Sequence, residues 1–472
     1  MKKIYTCFTA ILFLFSLHTG AQNINTAAEE GGEYAISSND ATHPCITPAQ
    51  YAFVQKQCTD NINKLGLNKS AKNNTLTTSL NWPLKAADGF DDCGFYVITA
   101  YVDQNTAATA IQDWNCGSNT YDTHQGTDIA ITPYPFYKMD NNQVQVIAAA
   151  PGTILYKSDG HFDKNCAGNN DTANYIIIQH SDGSQAHYWH MKKNSVTSKT
   201  VGQTVATGEY LGIVGSSGSS SGPHLHFEVW SGNTPNTLND PFAGTCNTLN
   251  ANSWWAAQKP YTEPAVIKAS VNTTDIVVPN CPTTETPNES DTFAIPFQGA
   301  GLNPGYAKFY IFIRNETPSM VATMTILKPD NSTYATWTHN STTAYKVAYW
   351  GYSKLLPTAP GTYTFKAVYN NITCQQNFTI TTTTGVNNIE NTGGYSIYPN
   401  PSKGKFTVEL ENETTGAGTS SIEVYSVLGA KVFESEITQP KFEFNLNANT
   451  GMYFYRILHS NEILGSGKVI VE

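Results

Sequence analysis

Pro223-His224-Leu225-His226-Phe227-Glu228-Val229-Trp230 is the stretch from which the rest of the chain can be read. Side chains of an extended strand alternate between its two faces. His224 and His226 therefore project from one face, and Leu225, Phe227 and Val229 point the other way, into a core. A pair of this kind standing alone is often no more than a polar strand face. This pair does not stand alone. Of the eleven histidines, His124, His161, His180, His187, His190, His224 and His226 lie within under a quarter of the chain. Histidine is the commonest metal ligand and a frequent general base.

Outward from this strand the texture repeats. Val144–Ala149, Gly152–Tyr156, Tyr175–Gln179, Ala186–His190 and Tyr210–Val214 are short apolar runs between glycine turns, and Gly215–Gly222 leads into His224–Trp230. Such spacing predicts a mainly antiparallel, all-β fold. Residues 260–380 carry alternating runs such as Lys308–Ile313 and Thr362–Tyr369, which predict an immunoglobulin-like β-sandwich of about seven strands. One short N-terminal helix is expected. Thr47-Pro48 is its start, Tyr51, Val54, Cys58, Ile62 and Leu65 form its apolar stripe, and Gly66 closes it. Residues 22–43 are polar and read as loose, residues 68–80 as a linker rich in Asn, Thr, Ser and Lys, and residues 381–392 as a second linker. Residues 393–472 have short strands of their own.

Composition narrows the function. Of 472 residues, 40% are hydrophobic and 14% charged, and the net charge is −10. A nucleic-acid partner calls for a basic surface and is excluded. Lys2 and Lys3, the apolar run Ile4–Phe15 and the small residues Thr19-Gly20-Ala21 read as a signal peptide over 1–21, cleaved before Gln22. No other apolar run approaches the ~18 residues of a spanning helix, so no transmembrane anchor is expected. Losing Cys7 with the signal leaves Cys45, Cys58, Cys93, Cys116, Cys166, Cys246, Cys281 and Cys374. An even number in an exported chain predicts disulfides with no free reactive thiol. The expected pairs are Cys281–Cys374, Cys93–Cys116 and Cys166–Cys246.

Two further segments carry metal-ligand chemistry. His124-Gln125-Gly126-Thr127-Asp128 reads as a turn running into a strand, with His124 and Asp128 on one side. Tyr188-Trp189-His190-Met191 ends another strand; His187 and His190 are an odd number of residues apart, so one of the two is expected to face the site and the other to point away. Two histidines and one aspartate make a three-ligand zinc site with a fourth position left for water, the pattern of catalytic rather than structural zinc. Two more histidines would supply a base and an oxyanion donor.

These segments resemble the lysostaphin-type, or LytM-like, zinc metallopeptidases, whose pattern is HxGxD, YxHL and GxHLHFE. Here it stands as His124-Gln-Gly126-Thr-Asp128, Tyr188-Trp-His190-Met191 and Gly222-Pro223-His224-Leu-His226-Phe-Glu228, with Met191 in place of the usual Leu. His161–Ala173 looks like an insertion carrying Cys166. The resemblance implies a peptidase domain over 81–258 and one Zn2+ per chain bound by His124, Asp128 and His226. It also implies His190 and His224 as catalytic residues, with peptidoglycan crosslinks or stem peptides as substrate. His180 and His187 match no ligand of the family. The last block resembles the sorting domains of the type IX secretion system, through Tyr398-Pro-Asn-Pro401, Val424-Tyr-Ser-Val427-Leu-Gly429, Gly451-Met-Tyr453 and Lys468-Val-Ile-Val471. That implies the type IX machinery as a partner, and release or surface display, through the periplasm, by a Gram-negative Bacteroidetes-like cell. The alternatives are an endopeptidase of glycine-rich, elastin-like proteins and a non-catalytic wall-binding or activator protein.

Overall fold

The computed structural model describes residues 28, 30–34, 44–69, 78–107, 109–233, 237–278, 281, 282, 287–382, 395–410, 419–460 and 462–472. The signal peptide with Cys7 and most of the second linker lie outside these residues. The chain divides into two units, 1–381 and 382–472. In chain order the first unit opens with β1 (Glu30–Glu33), α1 (Pro48–Leu65), β2 (Leu84–Ala86), β3 (Tyr96–Ala100), β4 (Thr127–Ile131), α2 (Pro135–Asp140) and β5 (Val144–Ile147). It continues with β6 (Gly152–Ser158), β7 (Tyr175–Gln179), β8 (Gln185–Trp189), β9 (Thr204–Val205), β10 (Tyr210–Ile213), β11 (His224–Trp230) and β12 (Leu238–Asn239).

The sheet that carries the histidines runs β3-β4-β11-β8-β7-β6-β9, with β12 on β11, and a small sheet β10-β5-β2 accompanies it. Every pairing in both is antiparallel, as expected for the fold class. Leu225, Phe227 and Val229 face a core with Ile129, Ile131, Ile176, Ile178 and Tyr188. The opposite face of the sheet is covered by α1. Thr47 caps this helix in a reciprocal box with Gln50, and Gly66 ends it at φ 70. Tyr51, Val54, Cys58 and Ile62 are buried against Leu155, Tyr175, Ile177, Trp189 and Trp230. Leu65, expected in the stripe, is 38% exposed.

A two-sheet sandwich completes the first unit: β13 (Ala265–Asn272), β14 (Thr292–Ile295), β15 (Tyr306–Glu316), β16 (Val321–Leu327), β17 (Thr333–Asn340), β18 (Tyr345–Leu355), β19 (Gly361–Tyr369) and β20 (Ile372–Thr382). Its sheets run β1-β18-β15-β13 and β14-β20-β19-β16-β17, and Phe309, Trp337, Phe365 and Phe378 lie in the core between them. The second unit has two antiparallel sheets of its own around Phe406, Val408, Val424, Ile457 and Val469.

Four expectations fail. The disulfides are Cys93–Cys374, Cys116–Cys246 and Cys166–Cys281, none of the pairs expected from the sequence. Cys45 and Cys58 are free thiols. Pairing by nearness in sequence fails because β3 and β4 pack on the sandwich: Val97 and Ala130 share a buried cluster with Ala265, Ile267, Tyr310 and Phe312. Two of the three bridges cross that junction. Glu30–Glu33, in a stretch expected to be loose, adds an edge strand to the sandwich by pairing with Ala348–Gly351. A second helix, Pro135–Asp140, was not expected; its six residues are too few to show a periodic stripe.

Candidate metal centre

Strands β4 and β11 pair so that Asp128 stands opposite His226 on one face of the sheet. His124 reaches the same point from the turn before β4. That approach requires Gly126, where a Cβ would lie 2.6 Å from the His226 ring. His226 Nδ1 is 2.7 Å from Asp128 Oδ1, His124 Nε2 is 3.1 Å from His226 Nδ1, and His124 Nε2 is 3.2 Å from Asp128 Oδ1.

The outer side of each ring is committed. His124 Nδ1 lies 2.6 Å from the Tyr101 carbonyl, and His226 Nε2 lies 2.8 Å from Glu228 Oε1. Glu228 also accepts from the Tyr51 hydroxyl at 2.7 Å and from Trp230 Nε1 at 2.9 Å. Burial alone would raise Asp128 and Glu228. The imidazoles around Asp128 hold it well below the carboxylate range, and His226 and His187 hold Glu228 low, so both are anions.

This donor set fits a metal. In the tautomers whose outer nitrogens donate, two imidazole nitrogens and a carboxylate oxygen would turn their lone pairs toward one point, a donor set suited to a cation. Two edges of the triangle, 3.1 and 3.2 Å, are close to the about 3.3 Å expected between tetrahedral N and O ligands of zinc, and the third, at 2.7 Å, is shorter. All three residues are buried.

Two more imidazoles border this point. His190 Nδ1 is held by the Ser217 carbonyl at 2.7 Å and His224 Nδ1 by the Gly222 carbonyl at 2.8 Å, both from the Gly215–Gly222 turn. The rings are 4.6 Å apart, and Nε2 of each is buried without a hydrogen-bond partner. Burial lowers the pKa of His190; burial would lower His224 too, but Asp128 raises it. The structure thus brings His124, Asp128, His190, His224 and His226 together.

The remaining histidines lie elsewhere. His187 contacts Gln185 Oε1 at 3.2 Å and Trp230, and burial pushes it down to about 4. His180 bonds the Pro151 carbonyl at 2.8 Å, and His161 bonds Ser158 at 2.9 Å. The odd-spacing argument for His187 and His190 misses one fact. Strand β8 stops at Trp189, and His190 turns out of it at φ 64, a left-handed conformation that redirects its side chain.

Sequence reasoning overlooked Glu228, Tyr51, Tyr121 and Cys45. Period-two spacing could have found Glu228, which follows His226 on the same strand face. Tyr121 stacks on His124 at 4.1 Å, and its hydroxyl is 3.3 Å from Asp128 Oδ2 and 2.8 Å from Cys45 Sγ. A cleft of about 470 Å³ is lined by Cys45, Ile46, Tyr51, Tyr121, His124 and His226.

Residues 122–238 match Peptidase family M23, and residues 396–472 match the Secretion system C-terminal sorting domain. Over 132 residues the chain is 29% identical to an uncharacterized metalloprotease of Haemophilus influenzae, covering 27% of this chain and 23% of that protein. Over 114 residues it is 33% identical to the peptidoglycan DD-endopeptidase ShyB of Vibrio cholerae, covering 24% and 21% respectively. The chain therefore spans less than a quarter of the length of these two relatives. Among solved structures, the catalytic domain of a mutant of the prophage-encoded M23 protein EnpA from Enterococcus faecalis is 25% identical, with a TM-score of 0.21 over 31% of this chain and 88% of that one.

Proposed function

We propose, for a chain whose residues 122–238 form a domain of Peptidase family M23, that His124, Asp128 and His226 hold one zinc ion and that the site hydrolyses peptide bonds. We take the substrate to be the peptide part of peptidoglycan. The reading is carried by one observation: two histidines and an aspartate converge beside two further imidazoles whose Nε2 atoms are unbonded.

A zinc ion there would lower the pKa of a water and polarise the scissile carbonyl. His190 and His224 each use Nδ1–H on a backbone carbonyl. Their Nε2 atoms remain to take the proton of the attacking water and to donate to the tetrahedral oxyanion. The Tyr101 carbonyl and Glu228 fix the tautomers of His124 and His226.

In this reading residues 81–258 are the peptidase part, 260–380 a sandwich and 393–472 the sorting part. The match at 396–472 supports export by the type IX machinery of a Bacteroidetes-like cell, to its surface or the medium. Among the described residues no helix is long and apolar enough to cross a membrane. A peptidoglycan substrate is supported by the name of the Vibrio cholerae relative. A net charge of −10 favours the second reading, a glycine-rich protein substrate, because an acidic chain gains nothing from an anionic wall. A non-catalytic wall-binding role would leave the metal and both unbonded imidazoles without a use.

Metal analysis of the full chain, with digestion of purified peptidoglycan and elastin-like protein side by side and mass spectra of the products, tests this. The expected result is one zinc per chain, lost in Asp128→Ala, and stem-peptide fragments. Full zinc occupancy in Asp128→Ala would overturn the ligand set, and cleavage of elastin-like protein alone would overturn the substrate.

A further inference from the structure

The five residues of the site are all buried, none more than 4% exposed, which restricts a polymer's access to them. The N-terminal segment Pro44–Leu65 lies against them, with Cys45, Tyr51, His124 and His226 lining one cleft. Helix α1 lies on the same face of the sheet as His226 and Glu228. It is fixed there by Tyr51 to Glu228, by Asn61 Nδ2 to the Leu155 carbonyl at 2.9 Å and by Gln50 Nε2 to the Asp171 carbonyl at 3.0 Å. Immediately before the helix, Cys45 borders the ligand triangle, its Sγ 2.8 Å from the Tyr121 hydroxyl. Its Sγ lies within 4.8 Å of ligand atoms of His190 and His226, and likewise of Asp128 and His224. The thiol is in no disulfide. Independently of it, the buried Nε2 atoms of His190 and His224 have no hydrogen-bond partner. A structural thiol would be expected in an apolar pocket, as Cys58 is, where burial pushes it up to about 12. Cys45 instead faces one carboxylate and three imidazoles. Thiolate is among the strongest zinc ligands a protein offers, and a ligand set of two histidines and one aspartate leaves one tetrahedral position open.

We propose that Cys45 is the fourth ligand of the metal held by His124, Asp128 and His226, and that residues 44–65 thereby keep the chain latent. The inference rests on the metal reading above. On coordination the Sγ–H proton passes to solvent and a sulfur–metal bond takes the position that solvent would fill; no electron transfer is involved. Release is the reverse, by protonation or alkylation of the sulfur or by withdrawal of the segment. The apolar contacts of Tyr51, Val54 and Ile62 hold the sulfur at high effective concentration over the site.

The test uses the full chain loaded with Co2+. We expect a near-ultraviolet thiolate-to-cobalt charge-transfer absorption that disappears in Cys45→Ser while one cobalt per chain is retained. Mass-spectrometric mapping of iodoacetamide labelling should show Cys45 modified in the metal-free chain and protected in the loaded one, with Cys58 unlabelled in both. Cys45→Ala should raise peptide hydrolysis at least tenfold over the unmodified chain. One metal per chain without the absorption, or equal labelling of Cys45 in both states, would overturn the ligand while leaving the metal site standing. A hydrolysis rate in Cys45→Ala equal to that of the unmodified chain would overturn the latency. Failure to bind any metal, with a native circular dichroism spectrum, would instead overturn the zinc reading on which this rests.

Discussion

Glu228→Gln isolates the contribution of the residue behind the proposed metal ligands. Three donors converge on the Glu228 carboxylate: His226 Nε2 and the Tyr51 hydroxyl on Oε1, and Trp230 Nε1 on Oε2. Glutamine has one acceptor oxygen, and its amide nitrogen must face one of these donors. If the oxygen keeps His226, the indole N–H of Trp230 is left buried against another donor. That costs the metal-free protein about 1–3 kcal/mol of stability. The remaining bond to His226 is also weakened, because a neutral acceptor replaces a charged one and no longer sharpens the basicity of Nδ1. Loss of such an outer partner typically reduces metal affinity ~10–100-fold, which is about 1.4–2.8 kcal/mol. The assay is a competition titration of zinc against a chelator of known affinity, with thermal unfolding of the metal-free protein run in parallel. Tyr51→Phe is the control. It removes one donor and leaves the carboxylate to His226, so affinity should fall less than about threefold by the same argument. If Glu228→Gln bound zinc within about twofold of the unmodified chain, the carboxylate would have no part in fixing His226, and the account of the ligand tautomers would be wrong.

Three further outcomes are expected. His190→Ala should retain near-stoichiometric zinc while kcat falls ~10²-fold or more; metal and activity lost together would make His190 a ligand instead. Asp240 is buried, and burial pushes its carboxyl up to about 8. Its proton is held in the fold and released on unfolding, so this stabilisation is complete below the ordinary carboxylate pKa of ~4 and is lost as pH rises toward 8. The slope should approach 1.4 kcal/mol per pH unit, and Asp240→Asn should flatten it. Parallel Tm-against-pH curves for the two proteins would show that Asp240 ionises normally. Truncation after Asn391 removes residues 392–472, most of the second unit, and hydrolysis by the purified remainder should stay within about twofold. In the native host, appearance of the truncated chain outside the cell would remove the sorting role.

The parts of the site that follow from local rules were legible. Period-two alternation put His224 and His226 on one face and Leu225, Phe227 and Val229 in the core, and the spacing of His124, Gly126 and Asp128 implied a turn entering a strand. The limits of α1 followed from Thr47, Pro48 and Gly66. What was not legible depends on backbone conformation or on distant chain. His190 reaches the cluster of His124, Asp128 and His226 only because its φ is positive, which no periodicity encodes. The disulfides follow from the packing of β3 and β4 on the sandwich, a contact between surfaces far apart in sequence. Cys45 looked like any member of an even set of cysteines. Nothing in residues 22–80 indicated that their helix would lie over histidines that come later in the chain.

The segment His161–Ala173 sets the order in which the site can be finished. It runs beside the Gly215–Gly222 turn, with Lys164 bridged to Ser216 and Ala167 to Ser220, while Asn165 Nδ2 donates to the Gly218 carbonyl at 2.9 Å. That turn supplies the carbonyls that orient His190 and His224. The segment is in turn stapled through Cys166 to Cys281, beyond the last histidine of the site. A ribosome has therefore made every ligand before it has made the residue that clamps the turn behind two of the imidazoles. The clamp closes only where thiols are oxidised, outside the cytoplasm. Biosynthesis thus sets its own delay on this site: the histidines are present early, and the frame that aims them is completed only once the thiols are oxidised.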